Sequence, residues 1–446
     1  MDFRVHSFFE SHFVQIYQEE KKGDSVMKCS NMLAAVLSAA CLLTGCASGP
    51  ADDKIQIEIV SYKPEAAKVF EEIQDLFNET HDDIQLTINS PNEAMTILKT
   101  RFVREDYPDI VAIGGDINYS GFLDAGLFWN LEGQPVLDKV RDGYRQIDKQ
   151  LEFVPLEGEY AIPYAANAAG ILYNRKLFRE NGWQTPETWE EFMDLCETIQ
   201  KDGFQPLYAG YKDTWTTLAP WNALAVELAD PDICQQVNRQ EATFAEAYDL
   251  TAERIREMLP YIQPNPSAYG YSDAATAFAN EEAAMWAIGS YAIPQIRSVN
   301  PEMEIGAFVM PGADSAEERW LNSGIDLQFC VMADSPEKEA AMEVIDFLCQ
   351  DEVMDLYLAD QGGISCLKGD FAVPEELGDM KEFIESGKVR DFHDHYYPSE
   401  MAVDALIQTY LLDTSADAKE KFLKKFDTEW QRYNRDLIRR LQEENQ

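Results

Sequence analysis

The sequence predicts an α/β fold organised around a mostly parallel sheet. Three observations carry this. Apolar residues alternate with polar ones at Ile55, Ile57 and Ile59, and again at Ile84, Leu86 and Ile88. Between these runs, Val69, Phe70, Ile73, Leu76 and Phe77 recur at helical spacing. After a second helical stretch, Ala94–Val103, the run Asp109–Ile113 ends in Gly114-Gly115. Alternation has the period of a strand and the wider spacing that of a helix. Strand, helix, strand, helix, strand requires a sheet whose faces helices cover.

Ahead of this core lie Met27-Lys28, the apolar run Met32–Leu43, and Leu43-Thr-Gly-Cys46. A basic residue, about a dozen apolar residues and a small-residue exit describe a secretory signal. The run is shorter than the roughly 20 residues that span a bilayer. Its ending looks like a lipobox, so residues 27–45 read as a lipoprotein signal peptide with lipid on Cys46. That implies an extracytoplasmic protein tethered to the cell membrane. Residues 1–26 place Glu19, Glu20 and Asp24 before the basic region. Glu19–Asp24 requires purine-rich codons a few residues before Met27, as a translated ribosome-binding site would, so 1–26 reads as a mis-called upstream segment. Residues 46–54, small and polar with Pro50, read as a tether.

A second series starts near Gly170. Ile171-Leu-Tyr173 reads as a strand, and Thr188 with Glu191 forms a capping box opening a helix that buries Trp189, Phe192, Leu195, Cys196 and Ile199. Thr243–Leu259, Ala274–Glu282 and Tyr291–Val299 read as helices, and Ile305–Val309 and Ile325–Met332 as strands. Pro336–Leu348 and Phe422–Leu441 read as amphipathic helices.

The chain carries 37 basic and 80 acidic residues, for a net charge of −43. Such a surface repels phosphate backbones and excludes nucleic acid as a partner. Beyond the signal and lipid-bearing cysteines, Cys196, Cys234, Cys330, Cys349 and Cys366 remain. An odd, scattered set does not make a disulfide framework. No P-loop, GxGxxG, GxSxG or HExxH occurs. Ser365-Cys-Leu-Lys368 has the SxxK spacing of serine acylases without its companion motifs. His393 and His395, with Asp391 and Asp394, could hold a metal, but a polar loop with cleft or packing roles fits that spacing better; no metal and no cofactor are expected.

Polar and aromatic residues gather at strand ends and loops. Asp116 follows the strand that ends in Gly114-Gly115, and ligands of open α/β sheets bind beyond strand carboxyl ends. Asn167 precedes another strand. Lys212, Asp213 and Trp215 share one segment and Trp221 follows. Trp286 and Tyr291 flank Gly289, and Asp326 follows Gly324. Sugars call for this mixture: ring faces stack on aromatics, and hydroxyls take charge-assisted hydrogen bonds from Asp, Lys and Asn. Any single Trp is more often core than platform; the grouping in loops favours the platform.

These residues fall in stretches that together resemble the family 1 extracellular solute-binding proteins, the carbohydrate-binding lipoproteins of ABC importers. The stretches are Ile59–Pro64, Tyr107–Asp116, Tyr160–Asn167 with Ile171–Asn174, Gly182–Trp189, Phe278–Met285 and Gly387–Pro398. The resemblance covers roughly residues 53–440. It implies a two-lobed periplasmic-binding-protein-like fold with a hinge and a ligand cleft between lobes. Lobe 1 would be 55–164 with 325–369, and lobe 2 165–324 with 370–446. Crossovers fall near Tyr164–Asn167, Ser323–Asp326 and Lys368–Phe371. By position it puts Asp116, Asn167 and Tyr291, with Trp286 nearby, in the cleft, and it adds Tyr62, Lys63 and the loop of His395. Asn167 stands where maltose-type members carry an acid, which leaves the sugar open. The implied function is capture of a carbohydrate, an oligosaccharide, and its delivery to ABC transporter permease subunits. The protein would act as a monomer and not as an enzyme. A binding protein for a non-sugar solute and a glycoside hydrolase are the alternatives.

Overall fold

The computed structural model describes residues 54–444. The signal peptide, Cys46 and the upstream segment lie outside the described residues. Among the described residues, ten strands form one sheet: β1 (Ile55–Ser61), β2 (Ile84–Asn89), β3 (Ile110–Ile113), β4 (Ile162–Asn174), β5 (Leu207–Tyr208), β6 (Met285–Gly289), β7 (Ile305–Phe308), β8 (Leu321–Val331), β9 (Ile364–Ser365) and β10 (Val389–Arg390). Their order is β2-β1-β3-β8-β4-β6-β5, with β7 and β9 also on β4 and β10 on β8.

The first three strands pair in parallel, as their alternation predicts. Helices Ala67–Thr80 and Ala94–Val103 connect them. The first buries Val69, Phe70, Ile73 and Phe77 and leaves Leu76 exposed, which sets its inner face. At the centre the mostly parallel expectation fails: β3 with β8, β8 with β4, and β4 with β6, β7 and β9 are antiparallel. β8 reaches β3 from more than 200 residues away, so no short helical crossover fixes its direction.

β4 and β8 take part in both halves of the sheet. β4 pairs with β8 over Ile162–Ala169 and with β6 and β7 over Ala169–Asn174. Its register shifts between Pro163 and Ala166. Proline has no N–H for the ladder and is tolerated where the ladder is interrupted.

Two apolar clusters form the core. One gathers β1–β3, β8 and their helices, and continues through Phe278, Trp286, Ile288 and Ile305. The other joins Phe192, Trp221, Phe244, Tyr248, Phe426 and Trp430. The sequence-predicted helices are present with altered ends. The 243–259 stretch breaks at Tyr248 into Phe244–Ala247 and Asp249–Glu257, and the last helix breaks at Asn434. The capping box is half formed: Thr188 Oγ1 accepts from Glu191 N–H at 3.3 Å, but the Glu191 carboxylate turns to Glu187 N–H. The five described cysteines are buried and unpaired, and burial pushes the Cys349 thiol up to about 12. Among the described residues, no helix is long and apolar enough to cross a membrane.

Candidate functional site

Asp326, midway along β8, collects side chains from strands on either side of β8 in the sheet. Lys63, just after β1, donates from Nζ to Asp326 Oδ2 at 2.5 Å, and the Tyr62 hydroxyl donates to the Asp326 carbonyl at 2.5 Å. Asn167 lies on β4 opposite Gly324, and its Nδ2 is 3.5 Å from Asp326 Oδ1. Lys63 is only 7% exposed, and an ammonium so buried is stable only beside a carboxylate. Glu65 stands 3.3 Å from the same ammonium. Burial, then the charges of Asp326 and Asp116, push the Tyr62 hydroxyl well above its ordinary pKa, so it stays a donor.

Asp116 caps the helix Ile117–Asp124, accepting from Asn118 N–H at 2.8 Å and Tyr119 N–H at 3.4 Å. An Asp at this position satisfies amides the helix leaves open. Its charge also reaches Tyr62, Asp394 and His395, so it faces the same space.

The loop after β10 packs beside this group on β8. Asp391 accepts from or pairs with His395 Nδ1 at 2.8 Å. Burial works against charge on His395, but Asp391, Asp394 and Asp116 outweigh it and raise its pKa to about 9. Burial raises the pKa of Asp391 and Asp394, with His395 pulling both back. Asp394 is held by Asn222, whose Nδ2 donates at 2.7 Å while its Oδ1 accepts Asp394 N–H at 3.2 Å. His393 points the other way. It is buried against the Tyr248 hydroxyl at 2.7 Å, and burial lowers its pKa to about 3. The loop docks on Gly324, where a Cβ would meet Asp391 Oδ1 at 2.6 Å and His395 Cε1 at 2.7 Å. Only a glycine on β8 permits that approach.

Two aromatics present faces nearby. Trp215 is 41% exposed and Tyr291 39%, with ring centres 6.1 Å apart. Tyr271 backs Trp215 at 5.0 Å. Tyr291 is tied to the polar group through the preceding residue, since Ser290 Oγ accepts from Ala168 N–H at 3.3 Å, next to Asn167. Burial, and after it the facing Asp394, push the Tyr291 hydroxyl up.

Of the residues the sequence suggests, Tyr62, Lys63, Asp116, Asn167, Trp215, Tyr291, Asp326 and His395 gather here. Four do not join them as expected. Trp221 is fully buried, donates to the Tyr397 hydroxyl at 3.1 Å, and packs on Tyr248 and Phe422. It is core, and the unbroken apolar run Ala223–Val226 after it is the sequence sign of that. Trp286 is 1% exposed on β6 behind Tyr271 and Phe278, so it supports the platform without forming it. Asp213 accepts from Tyr271 N–H at 2.7 Å and serves the turn there. Lys212 is exposed on the same segment. Asp391 and Asp394, which the sequence offers as a polar loop, and Asn222 join the group through His395 and each other, and Tyr271 joins it through Trp215. The stretch Gly387–Pro398 pointed to the two acids; nothing local marked Tyr271.

Ser365 and Lys368 do not form a catalytic pair. The serine Oγ accepts Leu367 N–H at 3.0 Å, and Lys368 reaches Asp142 at 3.1 Å. Among the described residues, no group of three metal-ligating side chains is close enough to hold a metal ion. The arrangement is chemically a hydrogen-bonding ring of carboxylates, amide, ammonium and imidazole beside an aromatic face.

Residues 61–355, which include most of this ring, match the family model described as bacterial extracellular solute-binding protein. The chain belongs to that family. Among the relatives of this solute-binding protein is the multiple sugar-binding protein of Streptococcus mutans, 29% identical over 349 residues, covering 76% of this chain and 81% of the relative. The apo structure of RafE from Streptococcus pneumoniae superposes with a TM-score of 0.75 at 26% identity, covering 86% of this chain and 98% of that one. RafE in complex with raffinose superposes with a TM-score of 0.68 at 25% identity, covering 84% and 99%. The fold of this solute-binding protein is therefore the two-lobed one of these structures, and its relatives are binding proteins.

Proposed function

We propose that this chain is a lipid-anchored, extracytoplasmic receptor. It captures an oligosaccharide between its lobes and hands it to the permease subunits of an ABC transporter. The lobes are 55–164 with 325–369 and 165–324 with 370–446, and β4 and β8 run through the hinge between them. The observation that carries the reading is the exposed Trp215–Tyr291 pair beside the ring of Lys63, Asp326, Asn167 and His395. A sugar ring offers apolar faces to the first and hydroxyls to the second. The raffinose-bound neighbour and the sugar-binding relative support the same class.

Sugar bound to both walls favours the closed arrangement by its differential affinity, and closure is the signal a permease reads. No proton needs to move, so no enzyme activity is part of the reading. Lipid on Cys46 keeps the receptor beside its transporter.

A thermal-shift screen of the purified protein against neutral and acidic oligosaccharides tests this. A ligand at a hundred-fold excess over its Kd stabilises the fold by about 2.7 kcal/mol. At about 2.1 cal/mol/K per residue, that raises Tm by roughly 3 °C in a chain of this length. A shift with one sugar class is expected; no shift across raffinose-type, malto-, xylo- and chito-oligosaccharides would overturn the reading.

A further inference from the structure

Resting on the carbohydrate reading and the lobe division proposed with it, we infer that the ion pair Asp124–Arg440 straps the lobes together and raises sugar affinity without touching the sugar. Asp124 ends the helix Ile117–Asp124 of lobe 1, whose start Asp116 caps in the cleft. Arg440 lies on the last described helix, Arg435–Glu444, in lobe 2. Its Nη1 donates to Asp124 Oδ2 at 2.8 Å and its Nη2 to Asp124 Oδ1 at 2.7 Å. Two parallel bonds fix a guanidinium in direction as well as distance.

The pair belongs to a seam. Gln150, ending the helix Asp142–Gln150 of lobe 1, donates from Nε2 to Asp232 Oδ1 at 3.2 Å, and its carbonyl accepts from Gln235 Nε2. Gln235 is on the lobe 2 helix Ile233–Asn238, which packs against Arg435–Glu444. At the start of Asp142–Gln150, a Cβ on Gly143 would meet Val389 Cγ2 at 3.0 Å and the Gly387 carbonyl at 3.2 Å. The seam borders the cleft. Leu151 follows Gln150 and packs at Gly115, the residue before Asp116, where a Cβ would meet Leu151 Cδ1 at 3.3 Å. Contacts on this side of the hinge strands form as the lobes approach and are lost as they part, so they favour the closed arrangement. The helix joining Asp116 to Asp124 is rigid and about 12 Å long. Fixing Asp124 to lobe 2 therefore also fixes Asp116 relative to the loop of His395. The Asp124 side chain is 17% exposed and that of Arg440 41%, and both lie outside the apolar cores. Removing the pair leaves each lobe's fold in place and loosens only the contact between them.

The test titrates raffinose, maltotriose and xylotriose into the full-length protein, into Arg440→Ala, into Asp124→Ala, and into the exchange Asp124→Arg with Arg440→Asp. Each alanine variant should bind the preferred sugar roughly three- to five-fold more weakly, as expected for losing a partly exposed ion pair. The loss should appear as faster release in stopped-flow fluorescence, while Tm stays within about 2 °C of the wild type. The exchange should recover the affinity to within about two-fold. Unchanged affinity in both alanine variants overturns the inference, and so does a loss that the exchange leaves unrecovered. Small-angle scattering without sugar judges the strap separately. Arg440→Ala should have a larger radius of gyration than the wild type, and an equal radius overturns the strap whatever the sugar result. Wild-type protein that binds none of these sugars counts against the carbohydrate reading, and the scattering result then decides the strap alone.

Discussion

Trp221 and Trp215 stand six residues apart, and truncating each to alanine should have opposite effects. Trp221 is fully buried among Tyr248, Phe422 and Phe426. Removing such a ring costs about 3–5 kcal/mol through lost transfer energy and the cavity left behind. Its partner Tyr397 still has the Tyr248 hydroxyl at 2.9 Å, so no stranded polar group adds to this. At about 1 °C per kcal/mol for a chain of this length, Trp221→Ala should lower Tm by roughly 3–5 °C. Trp215 is 41% exposed and rests on Tyr271. Its truncation should cost the free protein about 1 kcal/mol or less. Covering the exposed two-fifths of the ring with sugar is worth about 0.6–1.2 kcal/mol, two-fifths of the range for burying large apolar side chains. That corresponds to a roughly three- to eight-fold loss of affinity. Differential scanning calorimetry gives the first number, and titration with the sugar found in the screen gives the second. A Trp215→Ala protein that melts several degrees low, or binds like the wild type, would refute the assignment of platform and core.

Three further outcomes follow from the same geometry. Gly324→Ala places a methyl 2.6 Å from Asp391 Oδ1 and should destabilise by about 1–3 kcal/mol while displacing His395; a variant with wild-type Tm and affinity would remove the glycine from the argument. Asp326→Asn leaves the Lys63 ammonium with only the exposed Glu65 as a charged partner; because that partner remains and Asp326 is 23% exposed, the loss should be about 1–3 kcal/mol, below that of a fully buried pair, and a denaturant midpoint unchanged from the wild type would contradict it. His395 has its folded pKa raised from 6.5 to about 9, so the stability it contributes is complete below pH 6.5 and fades as pH rises through about 9. His395→Gln should flatten the Tm-versus-pH curve across that window, and an equal slope in both proteins would rule the imidazolium out.

The parts of the fold visible in sequence are those with one face in water. β1 and β2 alternate because one face is less covered, and Ala67–Thr80 shows its stripe for the same reason. The first half of β4 is buried apart from Asn167 and runs Ile162-Pro-Tyr-Ala-Ala-Asn-Ala168, so it has no alternation and few β-branched residues to announce it. Strands β5, β9 and β10 are two residues long and exist only through their partners. The site divides the same way. Asp116 and Asp326 sit next to glycines at recognisable strand positions. Trp221 and Trp286 mislead because sequence gives residue type and neighbours, not the direction a ring takes; the apolar run Ala223–Val226 after Trp221 is the better guide. Tyr271 reaches the platform only because helix Tyr271–Ala279 docks behind Trp215, a contact between segments more than 50 residues apart.

The most direct measurement is calorimetric titration of the purified protein with the best sugar of the screen, followed by chromatography of that sugar after incubation. Saturable one-to-one binding, weakened in Trp215→Ala and Asn167→Ala, with the sugar recovered intact, is the predicted result. Absence of heat with every sugar, or recovery of cleaved products, would contradict the assignment of a sugar receptor.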